Sequence, residues 1–214
     1  MSRVTVVCVL KSGGVYTPDW AAKLRAGVSR NMSRDYDFVC LSDMVVHGVE
    51  TRPLRQGWKG WWSKIELFEK NRFSGPVLYL DLDCIIVGPL DHLVCEDGFT
   101  MCSDFLKPQD KNSSVMSWCG DFSDLHDTFK ARKDEVIHTF DRVRPKSRIG
   151  DQAFTQLTLG ALGRKIKTFP DGAVLSYRQR CRGGRPDNAS VVAFHGLPKP
   201  PEAHGWAKLE WDRL

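Results

Sequence analysis

Residues 77–91 read VLYLDLDCIIVGPLD, and within them Val77 to Val87 sets two carboxylates, two residues apart, inside an otherwise apolar, β-forming run. A strand covered by helices on both faces reads as a continuous Val/Ile/Leu run. A carboxylate buried there without a partner has its pKa pushed up or carries a large desolvation cost. Asp81 and Asp83 therefore belong where the strand ends, and on an extended backbone an i, i+2 pair points to one side. Two such carboxylates are half of a hard-cation site, since Mg²⁺ is held by one or two protein carboxylates while phosphate oxygens complete its shell, and Mn²⁺ takes similar ligands. The pattern predicts a metal-bound phosphate ester as substrate. A bare D-x-D also occurs in Asx-turns and solvated strand ends.

Upstream of this run, Val4 to Leu10 is a short apolar stretch suited to a first strand. Lys11-Ser12-Gly13-Gly14 follows as a turn whose glycines let backbone approach a ligand. Pro18 to Arg30 reads as a helix with Pro in its first turn and apolar positions at Trp20, Ala21, Leu24 and Val28. Tyr36 to Leu41 makes a second strand, and a strand, crossover and strand of this size predicts a parallel α/β sheet. Gly57 to about Asn71 predicts a helix with Trp61, Ile65 and Phe68 on its apolar face and Lys64 beside it. Trp58, Trp61 and Trp62 suit a core. A lysine near a helix start opposes the dipole unless an anion shares the site, or it is simply solvated.

Downstream, Phe99 to Cys102 reads as a strand followed by Ser103-Asp104, and Asn112 to Trp118 as a polar turn entering another. Such a turn offers hydroxyl and amide groups to sugar hydroxyls, or is an ordinary edge loop. Asp124 to Ala131 predicts a helix, and Asp141 to Ile149, basic and Pro-interrupted, a loop able to move. Gly150 to Leu157 starts a helix with Asp151 placed to cap it, which leaves Gln152 free for a polar ligand. Val191 to Phe194 is an apolar strand ending at His195; Gly196 then permits a close turn, and two prolines restrain Lys199. A neutral imidazole would complete an Asp81, Asp83, His195 set for Mn²⁺ or Mg²⁺, with Lys199 as a point charge for phosphate.

The 214 residues fit one α/β domain, 1–214, able to bury roughly 70% of its unfolded surface, with 201–214 as a C-terminal packing tail. No run of apolar residues is long enough to span a membrane, and the first residues carry no basic n-region with a cleavage site. The seven cysteines include no C-x-x-C and leave one over in any full pairing, so a cytoplasmic location is expected. The formal charge of +5 is locally concentrated between Lys165 and Arg185, an anion-binding lip or a solvated face. Gly13-Gly14 lacks the P-loop pattern, and no G-x-G-x-x-G occurs.

Taken together, 77-VLYLDLDCIIVGPLD-91, 150-GDQ-152 and 191-VVAFHGLPKP-200 resemble glycosyltransferases of the glycogenin and bacterial galactosyltransferase superfamily, over roughly Val4 to Pro200. The resemblance implies a GT-A fold with a mostly parallel central sheet flanked by helices. It implies that Asp81 and Asp83, with Leu82 between them, bind Mn²⁺ (or Mg²⁺) and the diphosphate of a nucleotide sugar, usually a UDP-sugar. The family's H-x-x-G-x-x-K-P motif is matched at Gly196, Lys199 and Pro200, but the position three before Gly196 is Ala193, so His195 is a displaced equivalent, a residue of another role or a coincidence. By the same resemblance Lys64 reaches the donor phosphates, and Val9, Lys11, Gly13, Val15 and Tyr16 form the loop under the nucleotide. Asp151 and Gln152 lie near the transferred sugar, and Asp104 and Asn112 bind sugar hydroxyls.

These assignments imply a metal-dependent transferase passing a sugar from the nucleotide to a carbohydrate, lipid-linked or protein acceptor with retention, and no nucleic-acid partner. Attack on the face of departure, or double displacement through Asp151 or Gln152, would both give that outcome. The alternatives are a non-catalytic nucleotide-sugar or carbohydrate-binding protein of the same fold, and a nucleotidyltransferase, which is expected to hold a third acid where this chain has His195 and Lys199.

Overall fold

The computed structural model describes residues 2–143 and 150–213. Val4–Leu10 (β1) is buried at every position, the signature of a strand covered on both faces. It pairs in parallel with Tyr36–Ser42 (β2) and Val77–Leu80 (β4). Glu50–Pro53 (β3) adds in parallel beyond β2. Beyond β4, Lys111–Cys119 (β7) runs antiparallel, followed by Gly98–Ser103 (β6) and Ile166–Thr168 (β8). The seven-stranded order is β3-β2-β1-β4-β7-β6-β8, and β7 alone opposes the rest. The sheet is thus mostly parallel, as expected.

Side chains of β1 alternate between two cores. Val4, Val6, Cys8 and Leu10 face Pro18–Asn31 (α1) and a second, three-stranded sheet. That sheet joins Cys84–Ile86 (β5), Val191–Ala193 (β10) and Val174–Ser176 (β9). Val7 and Val9 face the opposite core, built from a 3-10 helix at Gly60–Phe68 with Ser123–Ala131 (α2) and Gly150–Ala161 (α4). Lys133–His138 (α3) runs into a π-helical turn at Thr139–Val143. The basic loop expected over 141–149 lies outside the described residues from position 144 onward. Near the C-terminus, Trp206–Asp212 (α5) sets Trp211 edge-on to Trp20 of α1, ring centroids 4.8 Å apart.

The apolar run from Val77 to Val87 breaks at its carboxylates: β4 ends at Leu80, Cys84 N–H donates to Asp81 O at 3.1 Å, and β5 leaves for the other sheet, antiparallel to β10. The two carboxylates occupy the step between sheets, where the chain can turn polar groups out of both ladders. The segment after Gly57 is not an α-helix but a 3-10 helix, entered through left-handed Gly57 and Gly60 (φ 66° and 56°). At three residues per turn the buried row becomes Trp62, Ile65 and Phe68, while Trp61 is 46% exposed. β3, β8, β9, α3 and α5 were not expected, being short elements without a clear apolar period.

All seven cysteines are free thiols, and six are buried. Among the described residues no helix is long and apolar enough to cross a membrane. At the end of the β5–β10 pairing, Gly88 N–H donates to Ser190 O at 3.2 Å. A Cβ there would lie 2.5 Å from Ala189 O, a backbone atom that cannot yield cheaply. Gly88→Ala is therefore expected to destabilise the protein by about 1–3 kcal/mol, read as a lowered urea midpoint at unchanged slope; an unshifted midpoint would show that the joint is looser than the contact implies.

Candidate active site

At the C-terminal end of β4 the chain must turn while two adjacent elements still cover it, so Asp81 and Asp83 enter a crowded polar centre. Tyr79, two residues before Asp81 on β4, donates its hydroxyl to Asp81 Oδ1 at 2.5 Å. Lys64 of the 3-10 helix reaches the same oxygen at 2.8 Å, with Asp151 Oδ2 3.5 Å away. Ser113 of β7 donates to Asp151 Oδ2 at 2.7 Å. Asp83 Oδ2 accepts from the Tyr16 hydroxyl at 2.9 Å and is ion-paired with Lys199. The Lys199 ammonium also donates to Phe194 O and Tyr16 Oη, each at 3.1 Å. Its backbone is held in turn by Glu202, whose carboxylate accepts from Lys199 N–H at 3.1 Å.

The centre brings three carboxylates onto two lysines. Burial, then the neighbouring Asp81 charge, raises the Asp83 pKa above the ordinary carboxylate value against the pull of Lys199 and Tyr16. Burial likewise raises that of Asp151, opposed by Lys64 and Ser113. For Lys64 burial acts to lower the pKa, but Asp151 and Asp81 outweigh it and the ammonium stays charged. Burial and the nearby carboxylates raise both Tyr16 and Tyr79, so the phenols remain donors.

The other expected residues fall into place unevenly. Asn112 and Ser113 do not form a loop; they lie buried in β7 after a register shift at Met101/Cys102, where their polar side chains face the centre. Asn112 Nδ2 donates to Gln152 Oε1 at 3.2 Å, tying the strand to α4. Asp151 is not a helix cap, because its side-chain partners are Ser113 and Lys64 rather than backbone N–H groups. Lys11 pairs with Asp43, whose other contacts are Ser12 N and Oγ, so this lysine clamps the β1 loop to the end of β2. Gly13 takes φ 85° in that loop, Val15 is exposed, and Val9 and Leu82 are buried. Asp104 accepts from Leu106 and Lys107 N–H, both at 2.9 Å, as a turn-forming aspartate does.

His195 departs furthest from expectation. Its Nε2 lies 2.7 Å from Ser176 Oγ, and its ring stacks on Phe105 with centroids 5.1 Å apart. Among the described residues no three His, Cys, Asp or Glu side chains form a group that could hold a metal ion, and His195 Nε2 is hydrogen-bonded to Ser176 rather than to either carboxylate. The carboxylate pair itself suits a hard cation. Side-chain contacts of Asp81 fall on Oδ1 and those of Asp83 on Oδ2, which leaves one oxygen of each for a metal that takes the rest of its shell from phosphate. Sequence reading missed Tyr79, Ser113, Ser176 and Phe105. Only Tyr79 carried a signal, a polar-tipped ring in register with Asp81 on an apolar strand.

No protein-family model and no curated protein matches the chain. Solved structures do. The glycosyltransferase GlyE of Streptococcus pneumoniae TIGR4 aligns with 99% of the chain at TM-score 0.68 and 12% identity. This chain spans only 60% of GlyE. An active-site mutant of LgtC aligns with 97% of the chain and 94% of its own length, at TM-score 0.63 and 13% identity. The galactosyltransferase LgtC, crystallised with donor and acceptor sugar analogs, gives TM-score 0.61 at 12% identity over the same shares. The chain thus has the GT-A-type fold of these glycosyltransferases.

The raised carboxyl pKa of Asp151 fixes a sign. The folded state holds this proton more tightly than the unfolded chain, so the associated stability is lost as pH rises through the folded value. Lys64, also raised, titrates far above this range. Asp151→Asn cannot titrate, so its stability relative to wild type is expected to increase between about pH 4 and pH 7, measured as the difference in urea midpoints. A flat or falling difference would contradict the burial of this carboxylate.

Proposed function

We propose that this protein is a metal-dependent glycosyltransferase that takes a sugar from a nucleotide diphosphate, most simply UDP, and passes it to a carbohydrate-bearing acceptor with retention. The observation that carries the reading is the centre where Asp81 and Asp83 each give one oxygen to a tyrosine and a lysine and keep the other. The GT-A-type fold supports it, as does the capture of donor and acceptor analogs by LgtC. Asp81 and Asp83 would hold Mn²⁺ or Mg²⁺, which when bound neutralises charge on the departing diphosphate.

The remaining roles follow from this chain's own side chains. A diphosphate leaving group needs no protein acid, so stabilising its charge is the main task. Lys199, in the loop after β10, is paired with Asp83; with a cation held at Asp83, its ammonium would be available to a phosphate oxygen. Lys64 stays between Asp81 and Asp151, balancing the carboxylates. Tyr16 and Tyr79, protonated throughout, fix the two carboxylates by donation. Gln152, bound to Asn112 and beside Asp151 at the start of α4, would meet sugar hydroxyls. Val15, exposed in the β1 loop, would lie against the nucleotide.

Calorimetric titration with UDP, with and without Mn²⁺, tests the reading. Wild type is expected to bind UDP only when Mn²⁺ is present, Asp83→Ala to lose that dependence, and donor turnover in Asp83→Ala to fall by roughly 10²-fold or more at an unchanged circular dichroism spectrum. UDP binding and turnover indifferent to both Mn²⁺ and Asp83 would overturn it.

A further inference from the structure

We propose, resting on the nucleotide-sugar reading above, that Arg178 is a diphosphate-binding residue and that His195 positions it through Ser176. The sequence pattern pointed to His195 as a ligand, but the histidine is engaged elsewhere. Ser176 Oγ accepts from Gln179 N–H at 3.1 Å, capping the π-helical turn Tyr177–Cys181 that follows β9. At 2.7 Å the same Ser176 hydroxyl shares a hydrogen bond with His195 Nε2, tying the ring to the capped turn. Phe105 stacks on the same ring at an interplanar angle of 16°. Burial, with Arg178 and Lys199 acting against Asp104 and Asp83, holds the imidazole below its ordinary pKa and therefore neutral. His195 is a post joining the loop after β10 to the turn after β9.

That turn carries Arg178. Its guanidinium Nη1 lies 3.7 Å from where a Cβ would stand on Gly196, the left-handed residue (φ 75°) between His195 and Lys199. Arg178 is exposed, and among the described residues its guanidinium makes no hydrogen bond or ion pair. The other cations of the centre are already matched, Lys64 by Asp81 and Asp151 and Lys199 by Asp83. Elsewhere in the basic stretch, Lys167 donates to Asp97 O and Arg185 to Val87 O, both away from Gly196. Arg178 thus brings uncompensated charge to the loop that backbone can approach most closely. A guanidinium presents paired donors suited to phosphate oxygens, which a lysine point charge does not.

Calorimetry with UDP and with uridine, in Mn²⁺, tests this on wild type, Arg178→Ala, His195→Ala and the double variant. Arg178→Ala is expected to weaken UDP roughly 10- to 100-fold, the loss of one charge-assisted contact, and to leave uridine unchanged. His195→Ala is expected to weaken UDP less, and to add nothing in the Arg178→Ala background. Wild type that binds UDP with Arg178→Ala binding it equally, or losing uridine to the same extent, overturns the role of Arg178. A further loss in the double variant overturns the positioning role of His195. Wild type that fails to bind UDP at all removes the nucleotide-sugar reading and this inference together.

Discussion

The burial of Lys64 against Asp81 and Asp151 is the interaction on which the rest of the structure turns. Buried charges cost several kcal/mol each in desolvation and are tolerated when paired and further hydrogen-bonded. Here the pairing draws on the 3-10 helix, β4, β7 and α4 at once, through Lys64, Asp81, Ser113 and Asp151. Each element is thereby fixed relative to the others at the end of the sheet where the strands stop. Tyr79 and the Lys199–Asp83–Tyr16 cluster extend the same logic to the second sheet and the β1 loop. The apolar cores on either side set the layers, and this polar seam sets their register.

The seam is also unbalanced, with three carboxylates facing two lysines. Burial first, and the neighbouring Asp81 charge after it, raise the carboxyl pKa values of Asp83 and Asp151. A centre of this kind favours a cation on one side, while Arg178 beside Gly196 offers positive charge on the other. A ligand carrying both signs, a metal with its phosphates, matches that polarity better than either ion alone.

Much of the fold was legible because its long elements obey simple periods. β1, α1 and β2 declared themselves within a residue of their observed limits, as did α2 and the start of α4. The carboxylate pair was legible because charges in an apolar run are expensive. Local rules failed where tertiary pairing decides: the departure of β5 into the other sheet depends on β10, far along the chain. Glu50–Pro53 becomes a strand only because β2 offers an open edge. Asp151 read as a cap because its real partners, Ser113 and Lys64, are distant in sequence. The role of His195 depends on Ser176 and Phe105, whose proximity no spacing encodes.

The 3-10 helix places strict demands on chain length. With three residues per turn its rows are in strict step, Trp62, Ile65 and Phe68 filling the core while Trp61 and Lys64 share the next row. An α-helix would let the rows drift and so absorb an occasional insertion by gradual rotation. This segment has no such slack: adding one residue ahead of Lys64 would carry the ammonium to the buried Ile65 position, and deleting one would bring Ile65 to the carboxylates. Related chains that keep the centre should therefore accumulate their length differences outside Gly60–Phe68, in the loops before and after it.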